Sequence, residues 1–308
     1  MKLNFNEVYQ IESGASQKKI YRFKDLNKEG VFVDFSYNYK DYYSFLEVNK
    51  FLSNINISVP KIFDIDDTKN LILMEDFGNN RYDHIIKSMD LKEMLLNSIN
   101  SLIEIQNNSQ QITNYNFDTY NLSSFKIEIA EFADFYLPYK NISKSIAEEF
   151  FTIWHSEFDN FNFNWNSFVH KDFELSNLMH LQNREGHLKC GILDYQNAFI
   201  GFAGWDMFSL LENPRIYFDD KYNDEFIEYF YNNTNQNISF SEFLTQYYFL
   251  NTARQSRIIG RWINLDKKNK KNNYFKYLNV TIKRLKKSLH NLKNQKLSKL
   301  YDKLIPDD

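Results

Sequence analysis

Three polar side chains follow two short apolar runs near the middle of the chain. Asp172 and Asn177 lie five residues apart in "FVHKDFELSNLMHL", and Asp194 ends the run "KCGILD". If "NLMHLQ" and "KCGILD" pair as a hairpin, Asn177 and Asp194 come to the same end of it. Amide and carboxylate oxygens are ligands for a hard cation such as Mg²⁺, which keeps waters for substrate phosphates. Asp172 would then be placed to accept a proton from an attacking hydroxyl.

The elements that position these residues begin with a mostly β region. Four runs rich in β-branched and aromatic residues predict strands: "KKIYRFK", "VFVDFS", "PKIFDI" and "NLILMEDF". Between the second and third runs, Phe45, Val48, Leu52 and Ile55 recur at helical spacing. Pro60 disfavours helical backbone at the residue before it, so we expect this helix to end before "ISVP".

From about residue 90 the apolar spacing becomes helical. "LKEMLLNSINSLIEIQ", "LSSFKIEIAEFADFYL" and "ISKSIAEEFFTIWHSEFDNF" each carry this pattern. The hairpin interrupts them, and further helices follow. We therefore predict a small N-terminal lobe over residues 1–78, with a hinge at 74–78. A helical lobe over 79–308 would hold the catalytic and metal-binding loops.

Composition excludes several classes of function. The chain has 308 residues, of which 43% are hydrophobic, enough for a sizeable core. A net charge of −3 argues against a nucleic-acid partner. A lone cysteine, Cys190, allows no intramolecular disulfide and is expected to be a buried, inert thiol. No apolar run has membrane-spanning length, so we expect a cytoplasmic protein without a membrane partner. Nothing in the sequence indicates an oligomeric state.

The order of the polar motifs resembles that of kinases. His170, Lys171, Asp172 and Asn177 match the kinase catalytic loop, and Asp194 begins "DYQ" where kinases have Asp-Phe-Gly. With "GWD" ten residues later, the pattern resembles the aminoglycoside phosphotransferase and choline kinase superfamily. Within it, the sequence is most similar to anomeric N-acetylmuramate/N-acetylglucosamine kinases of bacterial cell-wall recycling. The likeness runs from "GASQKKIYRF" to "YFKYLNVTIKRLKKSLHNL", although the flanks that would define the substrate are less specific than the catalytic motifs.

This resemblance implies a fold, a reaction and cofactors. The fold would be α+β, protein-kinase-like and two-lobed, and the enzyme would use ATP and Mg²⁺. Asp172 would be the catalytic base, and Asn177 and Asp194 would bind Mg²⁺. The small-molecule substrate would be an amino sugar phosphorylated at its anomeric C1 hydroxyl.

The resemblance also implies supporting roles for other residues. ATP-binding residues would be Ser16, Lys19, Arg22, Glu75 and Phe77. His170, Gln196 and Asp206 would support the site, Asp206 by accepting backbone hydrogen bonds from the catalytic loop. Glu174, Arg254 and Arg257 are candidates for binding the substrate. The two arginines could hold a phosphate or a substrate carboxylate, or they could form surface ion pairs.

One position departs from the kinase pattern. Kinases carry a lysine on the third strand that holds the α- and β-phosphates and pairs with a helix glutamate. The matching run here is "VFVDFS", with Asp34 where the lysine is expected, and Glu47 lacks that partner. Lys18, Lys19 or Arg22 would have to neutralise the phosphates instead, and the sequence leaves the choice open.

Two further readings remain open at this point. The kinase chemistry could serve an aminoglycoside or an amino alcohol such as choline. Alternatively, the chain could be a non-catalytic nucleotide-binding module that recruits an anionic partner. The second reading draws on the segment from Lys267 to Lys299, which has no Asp or Glu and carries apolar residues at helical spacing. We expect this basic amphipathic helix to pack on the helical lobe with its lysines facing water.

Overall fold

The computed structural model describes residues 7–11, 18–25, 28–161, 163, 166–216, 221–268 and 273–306. Its strands are β1 (Glu7–Ile11), β2 (Lys19–Asp25), β3 (Lys28–Asp34), β4 (Ile62–Asp66), β5 (Leu71–Met74), β6 (Ser167–Val169), β7 (Leu178–His180), β8 (Cys190–Ile192) and β9 (Phe199–Gly201). Its helices are α1 (Tyr39–Asn54), α2 (Tyr82–Ile85), α3 (Leu91–Asn107), α4 (Leu122–Glu131), α5 (Leu137–Tyr139), α6 (Lys144–Asp159), α7 (Trp205–Leu211), α8 (Lys221–Asn232), α9 (Phe240–Lys268), α10 (Leu278–Leu292) and α11 (Gln295–Leu304). A small sheet followed by a larger helical portion confirms the predicted α+β class.

The chain forms two compact units. The first contains residues 1–118, 167–199 and 226–234, and the second contains 119–166, 200–225 and 235–308. The lobe boundary predicted after residue 78 falls within the first unit and stays a prediction. In the part of the chain that the structure describes, no helix is both long and apolar enough to span a membrane.

The first unit contains an antiparallel sheet of five strands. Its strand order is β1-β2-β3-β5-β4. The four strands predicted for this region, β2 to β5, are all paired in the sheet. β1 is an edge strand that we did not predict. Side chains alternate between the two faces, as the pleat requires. On one face Val31 and Val33 of β3 lie opposite Met74 and Ile72 of β5, and all four are buried.

Helix α1 follows this sheet and confirms the predicted helical spacing. Phe45, Val48 and Leu52 are each at most 3% exposed. Burying such a side chain contributes roughly 1.5–3 kcal/mol. The Asn38 side chain accepts the Lys40 N–H and caps the start of the helix. The helix ends at Asn54, as expected from "ISVP".

The predicted hairpin is also present in the first unit. β7 and β8 are antiparallel, with Leu178 opposite Ile192 and His180 opposite Cys190. The Ile192 N–H donates to the Ser58 carbonyl at 2.8 Å, and the His180 N–H donates to the Asn80 carbonyl at 2.7 Å. The hairpin is therefore tied both to the loop after α1 and to the segment that follows β5.

The second unit is built around the long helix α9. It packs against α4, α7, α10 and the π-helical turn at 132–136. Gly260 allows α9 to approach the backbone of Glu131 closely, because a Cβ at this position would collide with the Glu131 carbonyl oxygen. Arg284 of α10 donates to the buried Glu212 carboxylate at 2.8 Å. A buried pair of this kind requires both partners, because either charge alone would be costly to bury.

The basic C-terminal segment differs from the single predicted helix. α9 already includes Lys267 and Lys268, and α10 and α11 are separate helices. The break occurs because Lys293 is in the left-handed conformation, with φ of +56°, and Asn294 caps the start of α11. Among the apolar residues at helical spacing in this segment, Leu285 and Leu289 are buried in the second unit, whereas Lys283 is exposed.

Candidate active site

The loop after β6 presents polar side chains between two apolar anchors. The anchors Phe173 and Leu175 are at most 1% exposed. Asp172, just before the first anchor, and Glu174, between the two, are half-buried. The preceding residue, Lys171, has φ of +81°, a conformation that non-glycine residues rarely adopt. This reversal and the buried anchors fix the backbone on both sides of Asp172.

Asn177 closes this loop through its own amide group. Its Nδ2 donates to the Asp172 carbonyl at 2.8 Å, and its backbone N–H donates to the Glu174 carbonyl at 2.7 Å. With Nδ2 engaged in this way, Oδ1 is the side-chain atom that offers lone pairs to a cation. The five-residue spacing of Asp172 and Asn177 is thus the length of one closed loop.

Asp194 lies at the same end of the hairpin as Asn177, as predicted from the two runs. The Leu193 N–H donates to the Asn177 carbonyl at 2.9 Å, and Asp194 itself has φ of +63°. The Asp194 carboxylate contacts the Lys18 ammonium group and accepts a hydrogen bond from Gln196 Nε2 at 3.0 Å. Burial alone would raise the pKa of this carboxyl, but these two partners outweigh burial and hold the pKa below its ordinary value.

His170 connects the loop that carries Asp172 to the loop that carries Asp194, and its ring does not face solvent. Its ring is fully buried, and its Nε2 lies 2.9 Å from the Leu193 carbonyl oxygen. Burial lowers the pKa of this imidazole, so the neutral form predominates at neutral pH. A neutral Nε2–H donating to the Leu193 carbonyl would hold the residue before Asp194 against the start of the Asp172 loop.

The donor set at this end of the hairpin fits Mg²⁺. Asn177 and Asp194 offer an amide oxygen and a carboxylate, and the contact from Lys18 shows that a cation is accommodated beside Asp194. No three His, Cys, Asp or Glu side chains are grouped as a metal site among the described residues. A cation held by only two protein side chains suits Mg²⁺, which completes its shell with waters and phosphate oxygens.

Asp34, at the strand position where kinases carry a lysine, does not lie on the buried face of the sheet. Val33 is on the buried face, opposite Ile20 of β2 and Ile72 of β5. Asp34 points to the other face, opposite Lys19, and accepts the Ser36 N–H at 2.8 Å. The pleat of β3 thus separates Asp34 from the buried face of the sheet, and its match to the kinase lysine stays a prediction.

The helix side of the usual lysine–glutamate pair is also changed. Glu47 accepts the Asn116 N–H at 3.1 Å, outside the buried face of α1.

On the buried face of α1, Asn49 Nδ2 donates to Tyr195 Oη at 2.7 Å and to the Pro60 carbonyl at 2.9 Å. The Tyr195 ring also stacks on Phe45, with centroids 4.6 Å apart. The contact between α1 and the Asp194 loop thus runs through Asn49 and Tyr195. Its sequence signal was an asparagine among the apolar positions of the helix.

The segment 74–78, which we predicted to be a hinge, is held by a side chain that the sequence analysis missed. Arg184 of the "NREG" turn donates to Glu75 at 2.9 Å, and its guanidinium lies 5.1 Å from the centre of the Phe77 ring. The Glu75 N–H donates to the Lys61 carbonyl at 2.9 Å, so this amide is already engaged. A Cβ at Gly191 would lie 2.8 Å from the Phe77 ring, which brings the hinge directly against β8.

The cationic nucleotide-binding candidates occupy different places. Lys18 precedes β2 and is 7% exposed, whereas Lys19 is exposed and lies directly across from Asp34 on the same face of the sheet. Arg22 donates to Asp76, to the Gly78 carbonyl and to Asn79, each at 2.7–2.8 Å. Ser16 lies outside the described residues.

The remaining candidates lie in the second unit. Asp206 is buried in the first turn of α7, where a carboxylate interacts favourably with the helix dipole. Arg257 is nearly buried and lies 3.7 Å from Glu128, which also accepts a hydrogen bond from Tyr120 Oη at 2.9 Å. Arg254 is 5% exposed, with its guanidinium 6.0 Å from the centre of the Phe208 ring. Neither arginine is a surface residue.

Sequence comparison finds two curated relatives at low identity. No protein-family model matches the chain. An N-acetylmuramate/N-acetylglucosamine kinase of Caulobacter vibrioides is 23% identical over 195 residues, covering 56% of this chain and 50% of the relative. A protein of the same name from Neisseria meningitidis serogroup B is 24% identical over 186 residues, covering 58% and 52%. The chain thus spans about half the length of the curated relatives it matches.

Solved structures match over nearly the whole chain. An aminoglycoside 2'-phosphotransferase in complex with GDP has a TM-score of 0.64 at 11% identity, covering 96% of this chain and 95% of its own. A choline kinase from Streptococcus pneumoniae has a TM-score of 0.58 at 13% identity, covering 94% of each chain. The chain therefore has the kinase-like fold of the aminoglycoside phosphotransferases and choline kinase, and its sequence is similar to that of the N-acetylmuramate/N-acetylglucosamine kinases.

Proposed function

We propose that the chain is an ATP-dependent kinase that phosphorylates the anomeric C1 hydroxyl of an N-acetylated amino sugar. The observation that carries this proposal is the arrangement of Asp172, Asn177 and Asp194 on two loops joined by backbone hydrogen bonds. Low-identity similarity to N-acetylmuramate/N-acetylglucosamine kinases supports the acceptor. Such a kinase would act on sugars released during cell-wall recycling in the cytoplasm.

In the proposed reaction, Asp172 orients the acceptor hydroxyl and takes its proton. An anomeric hydroxyl is more acidic than other sugar hydroxyls, so a carboxylate with modest basicity is sufficient. Asn177 and Asp194 would hold Mg²⁺, and the hinge at 74–78 would lie along the adenine. When bound, Mg²⁺ and ATP supply the phosphoryl group with its charge partly neutralised. Most of the protein's contribution is then positioning and charge stabilisation.

We propose supporting roles for the other candidates. Buried His170 and Gln196 hold the loop that carries Asp194 through the contacts described above. Asp206 would brace the catalytic loop. Arg254 and Arg257 are our candidates for the lactyl carboxylate that distinguishes N-acetylmuramate from N-acetylglucosamine, because arginine binds carboxylates in a forked geometry. Glu174 would contact a sugar hydroxyl.

An acceptor panel tests this proposal. Purified protein with ATP and Mg²⁺ would be given N-acetylmuramate, N-acetylglucosamine, kanamycin or choline, and ADP release would be measured. We expect release with one or both amino sugars at more than ten times the rate seen without acceptor. Release with kanamycin alone would instead support aminoglycoside phosphorylation, which the fold also accommodates. Nucleotide binding without turnover on any acceptor would favour the non-catalytic module.

A further inference from the structure

The proposed kinase site needs a cation for the nucleotide phosphates, and β3 does not supply one. Val33 occupies the inner position of that strand, and Glu47 is turned to the Asn116 N–H. ATP phosphates carry several negative charges, which Mg²⁺ neutralises only in part. A lysine or arginine from another part of the first unit is therefore expected close to Asp194, the carboxylate that would hold the metal.

Lys18 meets this requirement by position and by contact. Lys18 lies directly before β2, whose first residues Lys19 and Ile20 pair with Asp34 and Val33. Its ammonium group contacts the Asp194 carboxylate, where the metal would bind. Although it is a lysine, its side chain is only 8% exposed. Burying this stem costs hydration and side-chain entropy, and the ion pair with Asp194 offsets part of that cost.

The two other cations are directed elsewhere. Lys19 is exposed beside Asp34, on the face of the sheet away from Val33. The Arg22 guanidinium is engaged by Asp76, the Gly78 carbonyl and Asn79 next to the hinge. Moving Arg22 to the phosphates would break three hydrogen bonds, whereas Lys18 already lies at the metal-binding carboxylate.

We propose that Lys18 is the phosphate-binding lysine of this chain, supplied from the residue before β2 in place of a β3 lysine. The inference rests on the proposed function. Without nucleotide, Lys18 neutralises Asp194. When a metal takes over that carboxylate, the flexible stem lets the compact ammonium group turn to the neighbouring phosphate oxygens. Lys18 thus exchanges one anionic partner for another at the same place.

Calorimetric binding of ADP and of adenosine, both with Mg²⁺, tests this assignment. The variants are Lys18→Met and Lys18→Gln, Lys19→Met as the rival, and Lys24→Met as the control, an exposed lysine of β2. We expect both Lys18 variants to bind ADP about 10-fold to 100-fold more weakly, the usual effect of losing one charge-assisted hydrogen bond. Their adenosine affinity should stay within twofold of wild type, which also shows that they are folded.

Three outcomes would overturn the assignment. Unchanged ADP affinity in both Lys18 variants would remove Lys18 from the phosphate site while leaving the proposed kinase function intact. A selective loss of ADP affinity in Lys19→Met would assign the role to Lys19 instead. A wild-type chain that binds neither adenosine nor ADP would contradict the proposed function as well, so the two failures are distinguishable.

Discussion

Single residues at the candidate site are held by backbone geometry as much as by side-chain contacts. Lys171 and Asp194 both have positive φ, next to Asp172 and Tyr195 respectively. Such conformations cost free energy in non-glycine residues and persist where the surroundings determine them, often at functional sites. Here the buried Phe173, together with the Asn177 hydrogen bond to the Asp172 carbonyl, supplies that constraint.

Replacing the proposed base should affect turnover and spare nucleotide binding. In Asp172→Asn the amide cannot accept the hydroxyl proton, so we expect kcat to fall roughly 10²-fold to 10⁴-fold. ADP affinity should change less than about twofold, since Asn177 and Asp194 remain. Steady-state kinetics and calorimetry would check both values, with Asp302→Asn on the exposed side of α11 as the matched control. Near-normal turnover in Asp172→Asn would remove it from the mechanism.

His170 should make stability depend on pH. Its pKa is lowered by burial in the folded chain, whereas the unfolded chain titrates near the ordinary value of about 6.5. As pH falls below 6.5, the unfolded state takes up a proton that the folded state excludes, so the free energy of unfolding decreases. Denaturation at pH 7.5 and 5.5 should show a smaller decrease in His170→Gln than in wild type. Exposed His290→Gln is the control, and equal decreases in all three proteins would contradict this origin.

The sequence was sufficient to predict how the candidate residues are arranged within one stretch of chain. Asp172, Asn177 and Asp194 follow apolar runs in an order and spacing that predict a hairpin and a loop, and both are present. Contacts between distant segments could not be predicted in this way. Lys18 meets Asp194 across 176 positions, and Arg184 meets Glu75 across 109, with no periodic pattern to indicate either contact.

At the level of elements, α1 is linked to the Asp194 loop by a buried hydrogen bond. Asn49 and Tyr195 are both buried and joined by a neutral hydrogen bond of 2.7 Å. Burial raises the pKa of the Tyr195 hydroxyl well above its ordinary value, so this bond does not titrate near neutral pH. The strands and α1 were predictable because apolar periodicity determines them, whereas the face of Asp34 became clear only from the register of β3.

Removing the Tyr195 hydroxyl should weaken this link. In Tyr195→Phe, Asn49 keeps the Pro60 carbonyl as its acceptor, so we expect the free energy of unfolding to fall by about 1 kcal/mol. Because Tyr195 follows Asp194, the Mg²⁺ concentration needed for half-maximal activity should rise. Tyr115→Phe is the matched control, since that hydroxyl accepts a hydrogen bond from exposed Asn54, and its effect should stay below about 0.5 kcal/mol. Equal losses in the two variants would contradict a special role for Tyr195.

At the scale of the whole molecule, fold and substrate rest on different kinds of similarity. The kinase-like fold extends over 94–96% of the chain at 11–13% identity to its structural neighbours. Similarity to the amino-sugar kinases covers little more than half of the chain. Catalytic motifs are constrained by phosphoryl transfer itself, whereas acceptor contacts come from segments without fixed spacing. This difference explains why the reaction class was easier to predict than the acceptor.

The central claim, phosphoryl transfer to an anomeric hydroxyl, is tested most directly by phosphorus NMR of the product. Wild-type protein with ATP and Mg²⁺ would be given N-acetylglucosamine or its methyl glycoside, in which C1 is blocked, with Asp172→Asn alongside. We predict a new phosphorus signal coupled to the anomeric proton with the free sugar only. That signal should be absent with the methyl glycoside and lost in Asp172→Asn. Phosphorylation of the methyl glycoside, or of the free sugar at another hydroxyl, would contradict the account.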